Sequence, residues 1–152
     1  MANTQAMCTS FLGELLTATH NFTTGTGNTF KAALYLSSAT YDAATTAYSV
    51  TGEVSGAGYS AGGITVTNGT SPTSTNSSTT AGVGYWTSSA SLTYTAVTLT
   101  TAFNAVLIYN SSASNKAVSV HTFGDQTITA GTFTLTMPSN TTSTALLRLA
   151  TT

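Results

Sequence analysis

The chain has 152 residues, only 5% of them charged, and a formal net charge of −1. Its three basic residues, Lys31, Lys116 and Arg148, are far apart in sequence and form no cluster, which argues against phosphate neutralisation and a nucleic-acid partner. No run approaches the roughly 18 consecutive apolar residues of a membrane span.

The length suits one domain, which buries roughly 68–70% of its unfolded surface without disulfide or metal staples. Threonine and serine, about a third of the chain, do the polar work that charges usually do. No basic n-region opens the chain, so no signal peptide is read. The single cysteine, Cys8, allows no internal disulfide, and folding in a reducing cytoplasm is expected. Near-zero charge also leaves strand edges without guarding lysines, so covered edges and a homo-oligomer are expected.

Residues 1–8 have no periodicity and read as an N-terminal arm. The rest, 9–152, reads as one domain. Residues 9–20 carry the helical pattern, with Phe11, Leu12, Leu15, Leu16 and Thr19 on one face. Thr9 or Ser10 is the expected N-cap, and Glu14 and His20 suit the dipole at the two ends. So short a helix must dock, either as a plug on its own domain or on a neighbouring subunit.

Residues 30–36 read as a strand, with a polar connection after it and a second strand near 47–53. The glycine-rich stretch 52–63 predicts bends, since no helix comes after it to form a phosphate site. Residues 63–67 predict a strand with Ile64 and Val66 inward. Residues 68–82 are a long Thr/Ser-rich loop. Residues 83–87 predict a strand placing Tyr85 and Trp86 on opposite faces, with Trp86 as a core or interface anchor.

Residues 92–109 hold two alternating runs with a one-residue phase shift between them, read as a central pair of strands. The second run is apolar on both faces and belongs mid-core. A hairpin at 110–115 leads to a strand over 116–123. Turns are expected at Gly124-Asp125 and Ala130-Gly131. Residues 132–137 then alternate Phe133, Leu135 and Met137 with threonine until Pro138. Residues 144–150 close the chain. Nine or ten short strands with one helix predict an all-β antiparallel sandwich, the jelly roll being one topology that fits.

Little here could carry chemistry. The carboxylates Glu14, Asp42, Glu53 and Asp125 show no paired spacing. His121 precedes Asp125 by four residues, so a site with Ser119 is conceivable, but no nucleophile elbow accompanies it. No metal-ligand spacing is present. Five Asn-x-Ser/Thr triplets, at Asn21, Asn68, Asn76, Asn110 and Asn140, fit the abundance of Ser and Thr. No enzyme activity, cofactor or metal is expected.

The segments SFLGELLTATHNF, FKAALYLSSATYDAATTAYSVTGEVSGAGYSAGG and AVLIYNSSASNKAVSV together resemble a group of small β-rich virion proteins of tailed bacteriophages. The resemblance spans Met7 to about residue 67 and residues 92–123; the loop 68–82 departs from it. It implies a virion component, either a capsid decoration (cement) protein or a tail-associated one, and supplies no catalytic residues. The expected partners are the major capsid protein and further copies of the chain, with a trimer as the guess. Met7, Phe11, Leu12, Leu15, Leu16 and Trp86 are the candidate capsid or subunit interface. The alternative is a receptor- or glycan-binding module of tail or fibre, stacking sugars on Trp86, Tyr59 or Tyr85.

Overall fold

The computed structural model describes residues 2–75 and 82–151. Residues 76–81 of the long loop, with the Asn76 triplet, lie outside the described residues. In chain order the elements are β1 (Ala6–Met7), α1 (Thr9–Leu16), β2 (Phe30–Leu36), β3 (Ile64–Thr65), β4 (Thr73–Ser74), β5 (Val83–Trp86), β6 (Leu92–Asn110), β7 (Lys116–Leu135) and β8 (Leu147–Ala150). Five strands pair in the order β1-β7-β6-β2-β3, and three in the order β4-β5-β8. Every pairing is antiparallel. The all-β, sandwich-like class with one short helix is therefore the observed one.

Residues 30–36 form their strand as the alternation predicts. Phe30, Ala32 and Leu34 lie on one face of the larger sheet, beside Asn110, Ile108 and Val106 of β6. On that face Phe22 stacks on Phe30 at 4.1 Å, and Trp86 tilts against Phe22 at 4.8 Å. On the other face Tyr41 packs on Tyr35 at 3.7 Å and Tyr48 on Tyr109 at 4.7 Å. The helix and small sheet thus cover one side, and the 37–62 connection covers the other.

The central stretch is one strand rather than two. The phase shift is a bulge: Ala96 sits at φ 52°, and the register slips between Tyr94 and Val97. β7 is likewise continuous through Gly124-Asp125 and Ala130-Gly131, in place of the two expected turns, with Ala130 at φ 46°. The bulges at Ala96 and Ala130 bend the ribbon without breaking the pairing.

The bend is large. Phe103 is paired with Gln126, and from 126 to 133 a straight strand runs about 23 Å. Yet the Phe103 and Phe133 rings are 5.1 Å apart. Tyr94 donates its hydroxyl to the Ala32 carbonyl at 2.8 Å, although Ala32 is paired with Ile108 at the far end of β6. The β6–β7 ribbon therefore doubles back over its own sheet. Leu92, Tyr94, Val97, Leu99 and Phe133 are buried beneath it, while Thr93, Thr95, Thr100 and Thr134 face water.

The N-terminus corrects another expectation. Residues before the helix are not a loose arm: Ala6 and Met7 pair with Val120 and Ser119. The Asn3 amide donates to Leu36 O at 3.0 Å and to Asn104 Oδ1 at 2.7 Å. α1 ends at Leu16, not His20, and its N-cap is Cys8 with no side-chain bond, in place of Thr9 or Ser10. The backbone amides are held instead by β7 and by the 37–46 connection, since Cys8 N donates to Val118 O and Thr9 N to Ala43 O. The strand expected near 47–53 is reduced to isolated bridges at Ala47 and Glu53. Between them Ser49 Oγ accepts Thr51 N–H at 3.1 Å, and Gly52 adopts φ 76°, so the chain turns.

Cys8 and Phe11 belong to the core, with Phe11 only 2% exposed. Phe11→Ala should therefore destabilise the fold by about 3–5 kcal/mol, read as a lowered denaturation midpoint at unchanged slope. A loss below about 1 kcal/mol would mean that α1 is an accessory to the domain, not a plug.

Candidate functional site

The polar and apolar features of the described residues gather at three places. The first is the face made by α1 and the small sheet. α1 is held by a clamp on Glu14. Lys116 Nζ donates to Glu14 Oε1 at 2.5 Å, and His20 Nε2 lies 2.7 Å from Oε2. The Asn110 amide nitrogen lies 3.1 Å from His20 Nδ1, while Asn110 Oδ1 accepts Ser112 N–H. Nδ1 is thus the acceptor, and the proton on Nε2 goes to Glu14. Burial pushes the Glu14 carboxyl up, but hydrogen bonds from Lys116 and His20 outweigh it and hold the group below its ordinary value. Glu14 therefore ties the helix to β7 rather than serving the helix dipole.

Beside the clamp lies an apolar cleft of about 150 Å³, walled by Phe11 and Leu15 from α1, Tyr85 and Trp86 from β5, and Leu147 and Leu149 from β8. Phe11 and Trp86 are each 2% exposed. The Trp86 indole N–H donates to Asn68 Oδ1 and Thr70 O, both at 3.0 Å, so its polar edge is spent inside. Leu12 is 45% exposed and Leu16 90%. The structure thus brings Phe11, Leu15 and Trp86 into one cleft, with Leu12 and Leu16 on the adjoining stripe of the helix. Met7 stands apart, half-buried in β1 opposite Ser119.

The second place is Glu53, a buried carboxylate. Oε1 accepts the Tyr59 hydroxyl at 2.6 Å and the Gly62 amide at 2.7 Å, and Oε2 accepts the Tyr48 hydroxyl at 2.7 Å. The Tyr59 hydroxyl oxygen also accepts Leu34 N–H at 3.0 Å, and Tyr109 donates to Gly62 O at 2.9 Å. Burial, and then Glu53 itself, push the Tyr48 and Tyr59 hydroxyls well above their ordinary values, so both stay protonated as donors. The cluster pins the glycine-rich stretch along the side of β2 that faces away from β6. Gly63 is needed there: at φ 67° a Cβ would lie 1.7 Å from Ala32 O. The Tyr59 hydroxyl is committed to this cluster, and its half-buried ring stacks on Tyr94 at 6.0 Å.

The third place is Ser119 and His121, joined at 2.9 Å between Oγ and Nε2. Ser119 is 1% exposed. Asp125 accepts from Ser37 Oγ and Asn104 Nδ2, each at 2.9 Å, and is not bonded to His121. A buried hydroxyl and an imidazole with no orienting carboxylate do not assemble a nucleophilic triad. Burial drives His121 down to about 4, so the ring is neutral near pH 7. Burial, with Asp42 and Glu14 adding, pushes the Cys8 thiol up to about 12, which leaves it a core thiol. No group of three or more His, Cys, Asp or Glu placed to hold a metal occurs among the described residues. No helix among them is long and apolar enough to cross a membrane.

Neither clamp shows in the sequence, since Glu14 meets Lys116, and Glu53 meets two tyrosines, only through the fold. Comparison with protein-family models, curated proteins and solved structures finds no match to this chain.

Glu53→Gln leaves one acceptor for three donors and should cost roughly 1–3 kcal/mol in a denaturant titration. His121 binds its proton more weakly folded, at about 4, than unfolded, at about 6.5. Its contribution is therefore complete above pH 6.5 and is lost as pH falls through the window from about 6.5 to about 4, by of order 1–3 kcal/mol. His121→Gln should flatten stability over that window; an unchanged slope would show that the imidazole is solvated.

Proposed function

We propose that this protein is a structural component of a tailed-phage virion, a capsid decoration (cement) protein assembled in the host cytoplasm. It binds the major capsid protein as a homo-oligomer, with a trimer expected, and carries no catalytic role. The observation that carries the reading is the nearly uncharged Thr/Ser surface, with the carboxylates Glu14, Glu53 and Asp125 engaged within the chain. Such a surface suits high-copy packing on one particle, where low net charge limits repulsion between neighbours. The resemblance to phage virion proteins supports the same reading. The glycan-binding alternative draws less support, because Trp86 and Tyr59 are engaged within the domain.

Attachment through apolar burial and backbone bonds leaves few charges to screen. Full-length chain added to particles stripped of it should cosediment with them, with affinity changing less than about threefold between about 0.05 M and about 0.5 M salt. The recoated particles should also release their genome at a higher temperature than stripped ones. Collapse of attachment over that salt range, or no gain in particle stability, would contradict the reading.

A further inference from the structure

We propose that the face built by α1 and the three-stranded sheet is where copies of this chain meet, a leucine of one copy seated in the apolar cleft of the next. Among the described residues, four large apolar side chains are exposed: Leu12, Leu16, Val50 and Leu149. Leu149 lines this cleft, Leu12 and Leu16 stand on the adjoining stripe of α1, and Val50 lies in the connection that covers the other side of the main sheet. Leu16, at 90% exposure, is a free knob. The cleft beside it is a free hole of about 150 Å³ with almost wholly apolar walls. An apolar cavity of about 150 Å³ accepts a benzene-sized group, and the isobutyl group of leucine is smaller.

Each molecule carries both halves of the fit on one face. The occupant that supplies a matching knob and a matching hole together is a second copy; about a two-fold axis each knob meets the other's hole and the contact closes as a dimer, whereas a head-to-tail contact closes into a ring only where its rotation returns to the start. The charge pattern agrees. Identical faces can meet only where no unpaired charge opposes itself. Glu14, the acid of the helix, is neutralised by Lys116, and Arg148 alternates with Leu147 and Leu149 along β8, so it points to the opposite side of the strand. The whole chain carries −1, too little to hold copies apart. A lipid surface is the poorer occupant, because an interfacial helix needs a basic polar face and α1 contains no Lys or Arg.

The contact gives the expected homo-oligomer a surface, and it stands whether or not the chain sits on a capsid. The test is sedimentation of the full chain over a range of concentrations. The variants are Leu16→Asp, which removes the knob, Gly84→Val, which fills the hole, and Val50→Asp as control. Gly84 lines the cleft, and a Cβ there meets nothing nearer than Leu149 O at 3.9 Å, so the fold should tolerate the change; circular dichroism and melting check it. Wild type should sediment as two or more copies. Leu16→Asp and Gly84→Val should each weaken association at least about tenfold, and Val50→Asp should not. A wild-type chain that stays single, or a Leu16→Asp chain that associates like wild type, overturns the proposal. So does a single wild-type chain whose Leu16→Asp variant fails to attach to particles, since the face then belongs to the capsid protein. A single-copy Leu16→Asp chain that still attaches supports the self-contact and leaves the virion reading intact.

Discussion

The fold depends on the doubling back of one β-ribbon. β6 and β7 span 19 and 20 residues, and a straight ribbon of that length runs about 65 Å. A chain of this size has a radius of gyration of about 15 Å when compact, so the ribbon cannot stay straight. Register shifts along the β6–β7 ladder make the bend, among them bulges at Ala96 and Ala130, both alanines in the left-handed region. Each such residue costs about 1–2 kcal/mol. Burying Tyr94, Val97, Leu99 and Phe133 beneath the folded ribbon returns about 1.5–3 kcal/mol per side chain. The bulges persist because the core they close is worth more than they cost.

Polar groups then lock what the ribbon leaves open. Each of the four carboxylates accepts hydrogen bonds from the chain itself: Glu14 from Lys116 and His20, Asp42 from the Ala44 amide, Glu53 from two tyrosines and Gly62, and Asp125 from Ser37 and Asn104. Glu14 holds α1, and Glu53 and Asp125 hold the 37–62 connection, against the sheet. The surface left over is threonine, serine and one apolar face. Such a molecule offers a partner hydrophobic area more than charge.

Much of this is legible in the amino-acid sequence. The strand at 30–36 and that at 83–86 obey their alternation, and the buried half of β6 obeys its two-sided apolar run. The helix begins where its pattern begins, and Phe11, Leu15 and Trp86, all marked by residue type and position, meet in one cleft. The strand count fails chiefly along β6 and β7, apart from the 47–53 stretch, which turns instead of pairing. Gly124-Asp125 and Ala130-Gly131 have turn chemistry, and the phase shift at Ala96 looks like a strand end, but a continuous, bulged ladder accommodates the same residues. Nothing local distinguishes the two; only the core that the bend closes does. The clamps on Glu14 and Glu53 are illegible because the docking of α1 on β7 and the turns of the 48–62 connection bring their partners together, and no recognisable spacing does.

If this chain is a structural part of a virion, it must be present on the particle in high copy. Quantitative mass spectrometry of purified particles tests this most directly, by counting copies of this chain per copy of the major capsid protein. A decoration protein predicts a ratio near one. Absence of the chain from the particle, or a few copies per particle as for a fibre, would contradict it.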